Sequence, residues 1–555
     1  MTIAGQSVRR PRDPWIVFIS LLIFALAGLV LVPVASVLMR SFHSDGASDT
    51  GNFAQFFASR YFVRCLTNTF IIGIGSMLAS LVVAVPMALL LTRYAVRGAA
   101  TFRTVVTIGM LSPAFLGAFC WILLFGDAGV ALQPLRDLGL AVPSIYGPGG
   151  IILVSTLHSF PMVFLIVSAA LTRIDPALEE AAASLGRPPT AVFFTVSLPL
   201  LMPAILTGGM LVFLGAISDW GTAMLIGQGE RFPVLATVAY STFVNEIGTE
   251  GGLAAVTSTI LLLISVTVAG GQLVILRRLT VTTDQPQPIV RRQLTPLTGA
   301  IAQGAAYSLM LLTCLSLLTI SILAFLEVRG AVIYPALSLG NFQRVAHDLR
   351  TSIWNSILFS GIAFAIVVVL GSMIGYLSAR RKDGTMWIAD ALVMLPYFLP
   401  GTVFGIGLVY SFGGPPFLLT GTAAIIVLAY VVRRLPYMVR TSASIVAQID
   451  GSLEEASLSL GYPPLRTFGK VMVPLMAPGI LAGALLVWLE IFNELSASIV
   501  LYTARTVTLP IMTYQYAMTF ENGPAAALGF VQTALTLAVF ALLYRLGGQE
   551  RLTAN

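Results

Sequence analysis

The sequence predicts an all-α polytopic membrane protein, with about twelve transmembrane helices arranged as two parallel six-helix repeats. Three observations predict it. The 555 residues are 57% hydrophobic and only 10% charged, against about 25% charged in soluble domains. The apolar residues gather in runs of about 20, enough to cross a bilayer as a helix. Finally, a long stretch of the chain matches another when slid by 275 residues.

The runs fall at 15–39, 65–92, 104–126, 150–172, 199–218, 253–276, 303–326, 354–378, 386–410, 419–439, 474–492 and 525–545. Helices are expected in each, because lipid offers no partner to an unsatisfied backbone group. The first run follows the basic VRRPRDPW. It is too long for a signal-peptide core and lacks an evident small-residue cleavage site, so it reads as a retained helix. Pro113, Pro396 and Pro400 are expected to kink their spans. Between the sixth and seventh runs, LTVTTDQPQPIVRRQLTP is a polar, Pro-containing linker. The predicted organisation is a first half at 1–278, a linker at 279–300 and a second half at 301–555.

Basic residues set the orientation. With the N-terminus in the cytoplasm, the loops on that side hold most of the 31 Lys and Arg; the reverse orientation leaves them a minority. Both termini are then cytoplasmic. The net charge of +7 belongs to these loops and is no sign of nucleic-acid binding. Cys65, Cys120 and Cys314 are far apart, as are His43, His158 and His347. That spacing suggests neither a disulfide framework nor a metal site.

In the repeat, Pro161 meets Pro436, Asp175 meets Asp450, and Glu179–Glu180 meet Glu454–Glu455. Gly186 meets Gly461, and Pro199 meets Pro474. Asn68 and Arg93 pair with Asn355 and Arg380 at a slightly larger offset. An even number of spans per unit makes the two copies parallel. The most strongly repeated stretch is a polar loop, 175–199 and again 450–474. Asp175 suits an N-cap and Pro176 the first helical position. Glu179 and Glu180 sit near the positive end of the short helix that follows. Gly186 can take the left-handed conformation that ends it.

This loop resembles the EAA motif of ABC importer permeases: Glu-Ala-Ala, three residues, Gly, nine residues, then Ile-x-Leu-Pro. Copy one reads Glu180-Ala181-Ala182, Gly186 and Val196-Ser197-Leu198-Pro199. Copy two reads Glu455-Ala456-Ser457, Gly461 and Val471-Met472-Val473-Pro474. The resemblance covers nearly the whole chain and implies the ABC importer permease fold. It implies that Glu179, Glu180, Ala181 and Gly186, with Glu454, Glu455, Ala456 and Gly461, couple the permease to two copies of an ABC ATPase subunit. It also implies a periplasmic solute-binding protein, a bacterial inner-membrane location, and ATP and Mg bound by the partner ATPase rather than by this chain.

The chain's two lysines agree with a separate ATPase. Lys382 precedes Asp383 and Lys470 precedes Val471, so neither fits the GxxxxGK[ST] loop that cradles phosphates. No hydrolytic activity is expected of this chain. Within the family, residues 492–511, FNELSASIVLYTARTVTLPI, are similar to the second half of fused ferric iron permeases. Thiamine and aminoethylphosphonate permeases are near neighbours.

Past the fifth span of each half, Asp219 falls on Glu494. Ionisable residues at membrane depth raise a functional hypothesis. One reading makes the pair a translocation gate for a cationic substrate. The other makes them carboxylates that end a helix by bonding to backbone or facing water. Glu490 is a third candidate, opposite Gly215. Arg433 and Arg434, which replace His158 and Ser159 of the first half, read as a basic anchor at a span end. An ion-coupled secondary transporter is the competing class, since it also uses six-plus-six repeats.

Overall fold

The computed structural model describes residues 14–546, apart from 45–46, 49, 111, 128, 130, 133–137, 140–143, 228–231, 247–251, 280–292 and 330–331. The basic N-terminus and most of the expected linker lie outside the described residues.

Uninterrupted apolar sequence gives long helices throughout. The first half runs α1 (Pro14–Leu26), a π turn, α2 (Val32–Ser41), a two-residue hairpin β1–β2 (His43–Ser44, Ala47–Ser48) and α3 (Gly51–Ala58). It continues with α4 (Arg60–Arg93), α5 (Ala99–Gly109), α6 (Ala114–Phe125) and α7 (Pro148–Leu171). Then come α8 (Pro176–Ser184), α9 (Pro189–Val192), α10 (Leu198–Ser218), α11 (Trp220–Gly227), α12 (Leu235–Asn245) and α13 (Leu253–Leu279).

The second half repeats the plan. It starts with α14 (Pro296–Ala324), whose first turns occupy the end of the expected linker, and an antiparallel hairpin β3–β4 (Leu326–Arg329, Val332–Leu337). α15 (Gly340–Arg344), α16 (Ala346–Arg380), α17 (Gly384–Met394), α18 (Gly401–Phe412) and α19 (Ala423–Val446) follow. The chain closes with α20 (Ser452–Ser459), α21 (Pro464–Thr467), α22 (Val473–Phe492), α23 (Ser498–Leu501), α24 (Leu509–Met518) and α25 (Asn522–Leu546).

Among the described residues, nine helices are long and apolar enough to cross a membrane, and two bent pairs bring the number to eleven if each counts as one span. These pairs, α5–α6 bent by 96° and α17–α18 by 114°, are breaks rather than the kinks expected there. Pro113 and Pro400 stand at the N-caps after the breaks, where a missing N–H costs nothing. The twelfth expected span, 419–439, is helical as α19 but carries Arg433, Arg434 and Arg440.

With no water to expel between helices, membrane packing relies on small residues that let backbones approach. Gly208 of α10 sits against Val163 of α7. Its repeat equivalent, Gly483 of α22, sits against Thr441 and Met438 of α19. Each half also lends its first helix to the other. α1 packs on α17 and α2 on α18, while α14 packs on α5 and α6. Gly407 of α18 lies so close to Pro33 that a Cβ there would stand 2.8 Å from its carbonyl oxygen. Gly109 of α5 lies similarly against Thr313 of α14.

Candidate translocation site

Two features stand out where the repeats meet: a pair of surface loops, and a cavity between the halves.

In the first loop, the Asp175 carboxylate accepts from the Ala177 N–H at 2.9 Å and caps α8. In the second, Asp450 accepts from Ser452 N–H at 2.9 Å, a bond that holds its carboxyl below the usual range. Both helices end in a left-handed glycine, Gly186 at φ 81° and Gly461 at φ 85°. The N–H of the next residue reaches five positions back, Arg187 to Ala182 at 3.4 Å and Tyr462 to Ser457 at 3.2 Å. These bonds satisfy the last carbonyls of each helix.

The acidic residues divide alike in both copies. Glu179 turns inward onto Arg93 at 3.0 Å and accepts from Ser197 Oγ at 2.8 Å. Glu454 turns inward onto Arg380 at 3.1 Å and accepts from the Tyr376 hydroxyl. Arg93 and Arg380 are repeat partners at the ends of α4 and α16, so each long helix is pinned to its loop by one ion pair. Glu180, Ala181 and Gly186 are exposed, as are Glu455, Ala456 and Gly461. Leu185 and Leu460 stand beside them, 82% and 79% exposed.

A second repeated device holds the segment after each helix break. Asn68 Nδ2 donates to the Pro233 carbonyl at 2.8 Å, and Thr69 Oγ1 accepts from Leu235 N–H at 2.9 Å. In the other half Asn355 Nδ2 donates to Val507 O at 2.9 Å, and Ser356 Oγ accepts from Leu509 N–H at 2.7 Å. The Asn68–Asn355 match was visible in the sequence; the task of the pair was not.

The cavity holds about 340 Å³, and its lining is drawn from equivalent places in the two halves. His158 and Ser159 face it from α7, Arg433 and Arg434 from α19. Gly215 and Asp219 come from the end of α10, Glu490 and Glu494 from the end of α22. Asp219 and Glu494 thus share one cavity, each at the point where its helix breaks. Each also caps the short segment beyond: Thr222 N–H donates to Asp219 at 3.2 Å and Ala497 N–H to Glu494 at 3.0 Å. The backbone-bonded reading of these carboxylates therefore describes part of what they do.

The arginines differ from their expected place. They lie midway along α19, not at its end. Arg433 Nη1 is 2.5 Å from Glu494, Arg434 pairs with Glu494 through a second nitrogen, and Arg434 Nη1 lies 2.8 Å from Glu490. The Glu494 side chain is 3% exposed. A carboxylate so buried needs a counter-charge, and the two guanidiniums supply it. The signal was present in YVVRRLPYM, where two arginines interrupt an apolar run and demand an acidic partner. That partner lies 60 residues away in the chain, beyond the reach of local pattern.

The family profile for the binding-protein-dependent transport system inner membrane component matches residues 80–281 and again 367–548. The chain belongs to this family. It is a fused permease with two copies of the unit in one polypeptide, and a multi-pass protein of the inner membrane. It is 24% identical to the ferric transport system permease protein FbpB of Actinobacillus pleuropneumoniae, over 94% of this chain and 77% of that one. It is 26% identical to the Fe(3+)-transport system permease protein FbpB 2 of Haemophilus influenzae, over 86% and 87% of the two chains. The molybdenum transport system permease protein ModB of Mycobacterium tuberculosis is 26% identical over 36% of this chain and 73% of its own length, within the size of a single half.

Proposed function

We propose that this permease moves ferric iron from periplasm to cytoplasm as the membrane subunit of an ATP-driven importer. The observation that carries the substrate is similarity over 94% of the chain to a ferric transport system permease. In this reading a periplasmic binding protein delivers iron to the outer face. Two separate ATPase subunits, which hold ATP and Mg, dock on the loops at α8 and α20. Their closure draws the loops together and opens the cavity outward; hydrolysis returns it inward. This is a two-state equilibrium biased by partners that bind one state better. The termini and both loops are cytoplasmic.

The exposed Glu180, Ala181 and Gly186, and Glu455, Ala456 and Gly461, form the docking surfaces, with Leu185 and Leu460 supplying apolar contact. Glu179 and Glu454 contribute from inside, tying each docking helix to the arginine that ends α4 or α16.

Uptake of labelled ferric iron in cells with and without the gene tests the substrate. Thiamine and aminoethylphosphonate run in parallel. Loss of iron uptake alone is expected. Intact iron uptake with loss of another solute reassigns the cargo and leaves the permease role standing.

A further inference from the structure

Asp219 and Glu494 occupy equivalent places, but their surroundings fit them for different work. Glu494 is enclosed by Arg433, Arg434 and the Ala497 N–H. Asp219 accepts only the Thr222 N–H and has no ion pair among the described residues. Glu490 touches Arg434 with one oxygen, yet its side chain remains 45% exposed. It comes from the second half and Asp219 from the first. His158 lies within electrostatic range of both.

The same cavity has an unmet donor and unfilled space. Ser112 lines it, is 4% exposed, and its hydroxyl has no hydrogen-bond partner. Such a buried orphan calls for a ligand or water. Gly215, opposite Glu490 in the repeat, has open space where a Cβ would stand. Three carboxylates against two guanidiniums leave the cavity negative.

We propose that Asp219, Glu490 and His158 form a transit station for a multivalent, oxygen-seeking cation, with Glu494 serving as a fixed part of the wall. The inference rests on the ferric reading above and deepens it. Carboxylate oxygens suit hard cations and imidazole suits iron. Among the described residues no three His, Cys, Asp or Glu side chains stand close enough to hold a metal ion together. A dispersed set is what passage requires: attractive enough for entry, too weak to retain.

The test uses terbium(III), a trivalent oxygen-seeking cation, titrated into the full-length chain in lipid nanodiscs. Tyr397 and Tyr437 line the cavity and sensitise its luminescence. Asp219→Asn and Glu490→Gln, which keep side-chain shape, are each expected to weaken binding about tenfold, the effect of losing one charged contact. Glu521→Gln, at an exposed carboxylate outside the cavity, leaves binding unchanged. The same variants are assayed for ferric uptake in the importer reconstituted with its ATPase and binding protein. An Asp219→Asn/Glu490→Gln double variant that binds terbium and carries iron like the parent overturns the station. Failure of the parent importer to carry iron overturns the ferric reading instead, and the terbium titration still decides the station.

Discussion

The two loops and the one cavity are built from the same repeat, yet they have diverged to different degrees. At the loops the halves match in chemistry. Arg93–Glu179 answers Arg380–Glu454, Gly186 answers Gly461, and Leu185 answers Leu460 in exposure. At the cavity, His158, Ser159, Gly215 and Asp219 face Arg433, Arg434, Glu490 and Glu494. Surfaces that meet two copies of the same partner are constrained to stay alike. A chamber that meets one cargo molecule at a time is free to become one-sided.

The sharpest way to break this contrast is to unbalance the cavity. Arg433→Ala with Arg434→Ala strands Glu494 as an uncompensated buried charge, which costs about 3–5 kcal/mol. His158→Ala with Ser159→Ala, at the equivalent places, should cost about 1 kcal/mol, near the average for point substitutions. Thermal unfolding of the purified variants in detergent measures both. Equal losses would mean that the asymmetry has no energetic content.

The loops should respond symmetrically. Glu180→Lys and Glu455→Lys each place a wrong charge in the proposed docking surface, at a cost of about 2–5 kcal/mol. Recovery of the ATPase on the tagged permease, and ATP hydrolysed per solute moved, should fall equally for the two. A large difference would show that the docking sites are unequal. Arg93→Ala and Arg380→Ala remove one charge-assisted contact each, about 1.5–3 kcal/mol. Amide exchange of residues 176–184 and 452–459 should quicken to a similar degree in the two variants. The smallest effect belongs to Gly186→Ala and Gly461→Ala, about 1–2 kcal/mol for a side chain in the left-handed region, read by the same exchange experiment.

The loops were legible in the sequence because their signals are local: a capping Asp, a Glu pair and a turn glycine lie within a dozen residues. Most spans were legible for the same reason, since each is one apolar run. The breaks at Pro113 and Pro400 were underestimated. Proline marks where a helix is weak, but the angle depends on what packs behind it, here the first helix of the other half. The core of the cavity was half legible. Asp219 and Glu494 stood out as isolated carboxylates at matching repeat positions. The arginines that occupy Glu494 did not, because that ion pair is made by tertiary contact between α19 and α22. His158 drew attention only as one of three scattered histidines.

The shared chamber also bears on how such a protein evolves. Two identical subunits related by a twofold axis must present the same residue at every equivalent position. They would line the chamber with four arginines or with none. Joining the copies in one reading frame removes that restriction. It fixes their ratio at one to one, and each copy can then accumulate substitutions that only the other needs to tolerate. The Arg433–Arg434–Glu494 cluster opposite an uncharged Ser159 and Gly215 is the kind of specialisation that duplication followed by fusion permits.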